Sequence, residues 1–130
     1  MATGYSACVA NVIEPENIQK LCPKEYQAFL DALAKHGDDA LHDFAVAVGQ
    51  EQDCPEGMED VWDAYQELCK AFEKETKLGL EICYHDSDNN GDCYDAVNGV
   101  FWDVQGMYQM TEAGKAFSHL VKPARYVHLG

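Results

Sequence analysis

The side chains with the greatest capacity for chemistry lie close together between residues 83 and 93. His85 is followed directly by Asp86, and a carboxylate beside an imidazole can orient the ring as a general base or a metal ligand. Cys83 and Cys93 flank this pair, and a Cys/His pair able to form a reactive thiolate arises if the two segments approach each other. The alternative interpretation is that His85 is a histidine on one face of a sheet, with no role in a reaction. An enzymatic or metal-binding centre at this segment is therefore one hypothesis of two.

The segment that follows His85 carries oxygen ligands at alternate positions. Asp86, Asp88 and Asn90 can converge on one hard cation, and the order D-x-D-x-N-G resembles the start of an EF-hand calcium loop. The twelfth position counted from Asp86 is Val97 instead of a bidentate glutamate, and the residues before the loop predict a strand instead of a helix. We expect calcium here only in a different loop geometry. A polar turn is the alternative interpretation, and no other cofactor is predicted.

Hydrophobic periodicity predicts the elements that must position these side chains: one α+β domain spanning residues 1–130, with helices and strands in separate layers. The predicted order is an N-terminal strand, three helices, an antiparallel β-meander of about four strands and a closing helix. In residue numbers, the pattern indicates a strand at 5–13, helices at 23–37, 38–48 and 58–77, meander strands at 80–85, 93–97, 100–104 and 107–110, a helix at 112–121 and a terminal strand at 124–129.

The helix at 58–77 has the clearest pattern, because apolar residues recur there at steps of three and four. Its opposite face carries Asp60, Asp63 and Glu67 at the same spacing. In the meander, strand alternation places Phe101 and Trp102 on opposite faces of the sheet, so one of the two rings must leave the core unless both faces are covered. Trp102 is therefore a candidate anchor for an interface.

The formal net charge is −14, with 23 acidic residues against nine lysines and arginines. Neither lysine nor arginine occurs between Lys35 and Lys70, or between Lys77 and Lys115. Duplex nucleic acid and anionic membranes are excluded as direct partners, because binding them depends on basic side chains that displace counterions. A basic protein surface, a polyamine or a metal cation fits such a field. A surface whose charge serves only solubility is the alternative interpretation.

Acidic residues three or four apart on a helix present regularly spaced negative charge, loosely as a phosphate backbone does. The sequence therefore predicts a small acidic, non-enzymatic binding protein that meets a basic and nucleic-acid-handling protein, as an inhibitor or nucleic-acid mimic. Homodimerisation stays open. The predicted partner-binding residues are Asp38, Asp39, Asp43, Asp60, Asp63, Glu67 and Trp102.

The six cysteines form no C-x-x-C pair, and the first residues lack the basic start and apolar run of a signal peptide. The sequence therefore predicts a cytoplasmic protein whose thiols are mostly buried as small apolar side chains.

Overall fold

A computed structural model describes residues 5–51, 53–85, 99–107 and 112–129. The helices are α1 (Pro15–Leu21), α2 (Pro23–Ala34), α3 (Ala40–Glu51), α4 (Glu59–Thr76) and α5 (Glu112–Lys115), and the strands are β1 (Tyr5–Ile13), β2 (Gly79–His85), β3 (Gly99–Gln105) and β4 (Val121–Leu129). A 3-10 turn at Ser118–Leu120 precedes β4.

The strands form one antiparallel sheet in the order β2-β3-β1-β4. β2 and β3 pair along their whole length, from Gly79 opposite Gln105 to His85 opposite Gly99. β1 lies between β3 and β4, with Val12 opposite Asp103 on one side and nine residue pairs to β4 on the other. The predicted α+β class is confirmed. The predicted strands at 93–97 and, apart from Met107, at 107–110 lie outside the described residues.

Two prolines misled the prediction of local structure. Pro15, taken as a break, is the first residue of α1, a position that tolerates its missing N–H. Pro123, taken as a helix stop, lies within β4 at the sheet edge, where proline is also tolerated. The closing helix is consequently short, ending at Lys115, and the terminal strand begins at Val121 instead of 124.

Aromatic rings fill the core between the helices and the inner face of the sheet. Phe29 of α2 is completely buried, and its ring centroid lies 5.7 Å from that of Phe44 and 5.6 Å from that of Trp102. Edge-to-face pairs of this kind contribute about 0.5–1.5 kcal/mol beyond the burial of their area. The aromatic cluster consists of Tyr26, Phe29, Phe44, Trp62, Tyr65 and Trp102.

Helix α4 also covers the edge strand of the sheet. The backbone N–H of Ile82 donates to the Tyr65 hydroxyl at 3.2 Å, and the Cys69 thiol donates to the Leu80 carbonyl at 3.3 Å. Tyr65 and Cys69 are one helical turn apart, so a single face of α4 satisfies backbone groups on the side of β2 that faces away from β3. These two hydrogen bonds fix the rotational orientation of α4 about its own axis.

Candidate partner-binding surface

A side-chain hydrogen bond joins the turn between α2 and α3 to the first turn of α4. His36 Nε2 lies 2.8 Å from Asp60 Oδ1. The hydrogen bond from His36 lowers the pKa of Asp60 below its ordinary value. Asp38 and Asp39, predicted to begin a helix, lie instead in the exposed turn just after His36, since α3 starts at Ala40. The contact therefore ties the turn that carries Asp38 and Asp39 to the first turn of α4.

The predicted row of Asp60, Asp63 and Glu67 is exposed along α4. The opposite side of the helix, with Val61 and Leu68, is fully buried in the core. Residues at this spacing on a helix have Cβ atoms about 5–6 Å apart. The three carboxylates therefore form one continuous line of negative charge that the fold holds toward solvent.

The loop before α4 adds to this charge. The pKa of the Cys54 thiol is raised, first by burial and then by the negative charges of Glu59, Asp53, Asp63 and Asp60. Four carboxylates are therefore near enough to a single sulfur atom to disfavour its thiolate. We call the resulting patch the α4 acidic surface; it consists of Asp38, Asp39, Asp53, Glu59, Asp60, Asp63 and Glu67.

Asp43 and Trp102 do not join this surface. Asp43 pairs with His42 at 3.2 Å, and the His42 ring packs edge-on against Tyr84 of β2 at 4.8 Å, so no contact in the described ranges links Asp43 to Asp60. Trp102 is only 3% exposed and belongs to the aromatic cluster. Its prediction as an interface anchor is wrong, because the helices cover the face of β3 that carries it and leave Phe101 on the other face.

Two further carboxylates lie on the outer face of the sheet. Glu81 and Asp103 are directly opposite each other on β2 and β3. Asp103 Oδ1 accepts a hydrogen bond from the Asn11 backbone N–H at 2.8 Å, and Gln105 Nε2 donates to Glu81 at 3.0 Å. Glu81 and Asp103 thus form a pair on the outer face of the sheet that is separate from the α4 acidic surface.

The carboxyl of Asp103 should destabilise the fold at neutral pH. Its pKa is raised, first by burial and also by Glu81. A carboxyl with a folded-state pKa above its unfolded value costs stability as the pH rises through that window, because the folded state holds the proton more tightly. Asp103→Asn, which keeps an oxygen acceptor for Asn11, should raise the melting temperature at pH 7 by about 2 °C.

The gain from Asp103→Asn should vanish near pH 3, where the wild-type carboxyl is protonated in both states. Thermal unfolding by circular dichroism at both pH values measures it, with Asp31→Asn on the exposed surface as the control. An equal effect of Asp103→Asn at both pH values would contradict the electrostatic explanation.

The predicted calcium ligands Asp86, Asp88 and Asn90 lie outside the described residues, so that site stays a prediction. The described part of the chain has no group of three or more His, Cys, Asp and Glu side chains arranged to hold a metal ion. His85 is described and is 6% exposed. The conformation of β2 therefore turns this imidazole away from bulk solvent.

The described thiols are poor nucleophiles. Burial raises the pKa of Cys22 and of Cys69 to about 11, and burial together with Glu81 and Asp103 raises the pKa of Cys83 to about 12. A thiolate is the reactive form, and very little of it exists at neutral pH with such values. The geometry therefore does not favour Cys83 as the nucleophile of a Cys/His pair.

Iodoacetamide at pH 7.5 should modify Cys22, Cys69 and Cys83 at least about a hundredfold more slowly than free cysteine, whose pKa is near 8.5. Peptide mapping by mass spectrometry gives the rate for each thiol, and labelling in urea shows that each one is reactive once unfolded. Modification of Cys83 in the folded protein at the rate of free cysteine would restore the hypothesis of thiolate chemistry.

No local pattern in the sequence indicates the contact between His36 and Asp60 or the bonds from Tyr65 and Cys69 to β2, because each joins residues of different elements. Within the described ranges, no helix combines the length and the hydropathy required to cross a bilayer.

The chain matches no protein-family model, no curated protein and no solved structure.

Proposed function

We propose that this protein is a small acidic, non-enzymatic binding protein that presents the α4 acidic surface to a basic surface of a nucleic-acid-handling protein. It would act there as an inhibitor or nucleic-acid mimic. The observation that carries the proposal is the exposed row of Asp60, Asp63 and Glu67, joined through His36 to the acidic turn at residues 38–39.

The size of the electrostatic effect favours a partner with many charges. A single exposed ion pair contributes only about 0.2–1 kcal/mol, so one lysine on a partner would gain little. Several carboxylates in one patch act together, and they also speed the encounter with a basic surface by steering. No lysine or arginine between Lys35 and Lys70 neutralises the patch from within the same part of the sequence.

The arrangement of α4 supports a rigid surface. The helix is held from behind by the buried face that contacts the core and by the bonds from Tyr65 and Cys69 to β2. A charged row on a fixed helix loses little conformational freedom on binding, which lowers the entropic cost of association. We also propose that the protein works in the cytoplasm, in keeping with the free thiols of Cys22, Cys54, Cys69 and Cys83.

Affinity capture tests the proposal. Wild-type protein is immobilised and exposed to a lysate of the cells that produce it, at low and at high salt. We expect a basic, nucleic-acid-binding protein to be retained at low salt and released at high salt, because screening weakens contacts between exposed charges. Retention of only acidic proteins, or retention that does not change with salt, would contradict the proposal.

A further inference from the structure

Charged residues follow one another along α4 at alternating steps of three and four. We call this row the α4 charged stripe; in chain order it consists of Asp60, Asp63, Glu67, Lys70, Lys74 and Lys77, all of them exposed. The first five lie within the helix, on the side opposite the buried Val61, Leu68 and Phe72, and the sixth caps its C-terminal end. The first half of the stripe is acidic and the second half is basic.

The stability of α4 does not account for this separation of charge. Like charges four residues apart on a helix repel each other, and the stripe has two such pairs, Asp63 with Glu67 and Lys70 with Lys74. The helix dipole favours acidic residues in the first turn and basic residues in the last, but its effect falls off within one turn. Glu67 and Lys70 are both more than one turn from either end of α4. The dipole therefore explains the ends of the stripe and not its centre.

The central charges of the stripe are not neutralised within the described part of the chain. Asp60 is bonded to His36, but no ion pair among the described residues includes the four that follow it in the stripe. These four residues are Asp63, Glu67, Lys70 and Lys74. Two carboxylates and two ammonium groups are thus available to a second molecule.

A second copy of this chain presents the complementary charges. In an isologous interface a two-fold axis brings the same surface of both subunits together, so that each contact occurs twice. An axis that crosses the stripe midway between Glu67 and Lys70 makes the two helices antiparallel. It places each Glu67 opposite Lys70 of the other copy, and each Asp63 opposite Lys74. Asp60 and Lys77 match at the next step, so every position of the stripe meets the opposite charge.

We infer that the protein forms a homodimer in which the α4 helices of two copies pack antiparallel along the α4 charged stripe. The helix has 18 residues and is about 27 Å long, so the contact belongs to the small class of interfaces, below about 1,200 Å². The dimer is therefore weak and reversible, with a Kd on the order of 0.1 mM. It engages part of the α4 acidic surface, so a basic partner would compete with it.

Sedimentation equilibrium of the purified protein tests the dimer. At about 0.15 M salt, screening beyond about 8 Å reduces the general repulsion between two negative chains more than the close contacts of the stripe. We expect a reversible equilibrium between monomer and dimer. Asp63→Lys with Glu67→Lys should weaken it at least about tenfold, because attractions become repulsions. If only overall repulsion mattered, this less negative variant would associate more tightly.

A charge-swapped variant is the matched control. Asp63→Lys, Glu67→Lys, Lys70→Glu and Lys74→Glu together reverse the centre of the stripe and keep the net charge at −14. The reversed centre is again complementary to itself about the two-fold axis, so this variant should dimerise within about threefold of the wild type. Circular dichroism shows whether each variant keeps its helices.

Cross-linking measures the register of the two helices. A carbodiimide joins a carboxylate directly to an amine, and in a mixture of unlabelled and isotope-labelled protein a link between the two forms is intermolecular. Mass spectrometry should find Glu67 linked to Lys70 and Asp63 linked to Lys74 between copies. Intermolecular links that join other residues instead would overturn the antiparallel arrangement.

A wild type that stays monomeric up to about 1 mM overturns the inference. A folded charge-swapped variant that stays monomeric does the same. Should that variant unfold, the Asp63→Lys, Glu67→Lys protein is mixed with a Lys70→Glu, Lys74→Glu protein. A heterodimer is then expected, and its absence contradicts the inference. The purified protein is the only component, so failure of the dimer is distinct from failure to capture a basic partner.

Discussion

Replacing Phe29 with alanine should lower the free energy of unfolding by about 3–5 kcal/mol, the usual cost of deleting a buried aromatic ring. Phe29 has no exposed surface, and its ring contacts the rings of Phe44, Tyr65 and Trp102. The substitution therefore removes buried area and several edge-to-face contacts, and leaves a cavity between α2 and the sheet. A domain of this size has a total stability of about 5–15 kcal/mol, so the variant should be close to unfolded at 37 °C.

Urea unfolding at 25 °C, followed by far-ultraviolet circular dichroism, measures the effect. Leu41→Ala is the control, because this side chain is 37% exposed and its truncation should cost less than about 1 kcal/mol. Phe29→Leu should fall between the two, since it keeps part of the buried volume. A loss below about 1 kcal/mol for Phe29→Ala would show that Phe29 is not at the centre of the core.

The second large effect concerns binding. Changing Asp60, Asp63 and Glu67 together to lysine should weaken binding of the captured partner by about 2–3 kcal/mol, on the order of 30-fold to 150-fold. Each substitution removes an attraction and adds a repulsion toward a basic surface. All three positions are exposed on α4, so the hydrophobic core is not touched.

A matched control separates the α4 acidic surface from net charge. The triple variant Glu16→Lys, Glu73→Lys and Glu75→Lys has the same formal charge as the first, and its three positions are also exposed. It should bind within about threefold of the wild type at physiological salt, where distant charges are screened. Isothermal titration calorimetry gives both constants, and equal losses for the two variants would mean that only total charge matters.

Residue patterns within one element were enough to predict α4 and the strands β2 and β3, because a period of 3.6 or 2 is a local property. The direct pairing of β2 with β3 was not predicted, since the predicted meander has the strand at 93–97 between them. The prolines were misread, since Pro15 can begin a helix as readily as it ends a strand, and Pro123 is permitted on an edge strand. The position of β1 between β3 and β4 was not predictable, because it depends on pairing across more than a hundred residues.

The candidate surface was predicted only in part, because it also depends on a contact between residues that are distant in the sequence. The row on α4 follows from helical spacing, whereas its union with residues 38–39 depends on the contact of His36 with Asp60. For Trp102, strand alternation correctly predicted that its ring and that of Phe101 lie on opposite faces of the sheet. Which of these two faces the helices cover is a tertiary property, so the burial of Trp102 was not predictable from alternation.

Competition with nucleic acid tests the central claim most directly. The captured partner is bound to a fluorescent DNA duplex, and increasing amounts of this protein are added while fluorescence anisotropy is recorded. If the α4 acidic surface occupies the partner's nucleic-acid site, the protein should displace the duplex completely, and the Asp60, Asp63 and Glu67 triple variant should need on the order of 30-fold more. A ternary complex, with the duplex still bound at saturating protein, would contradict the proposed mimicry.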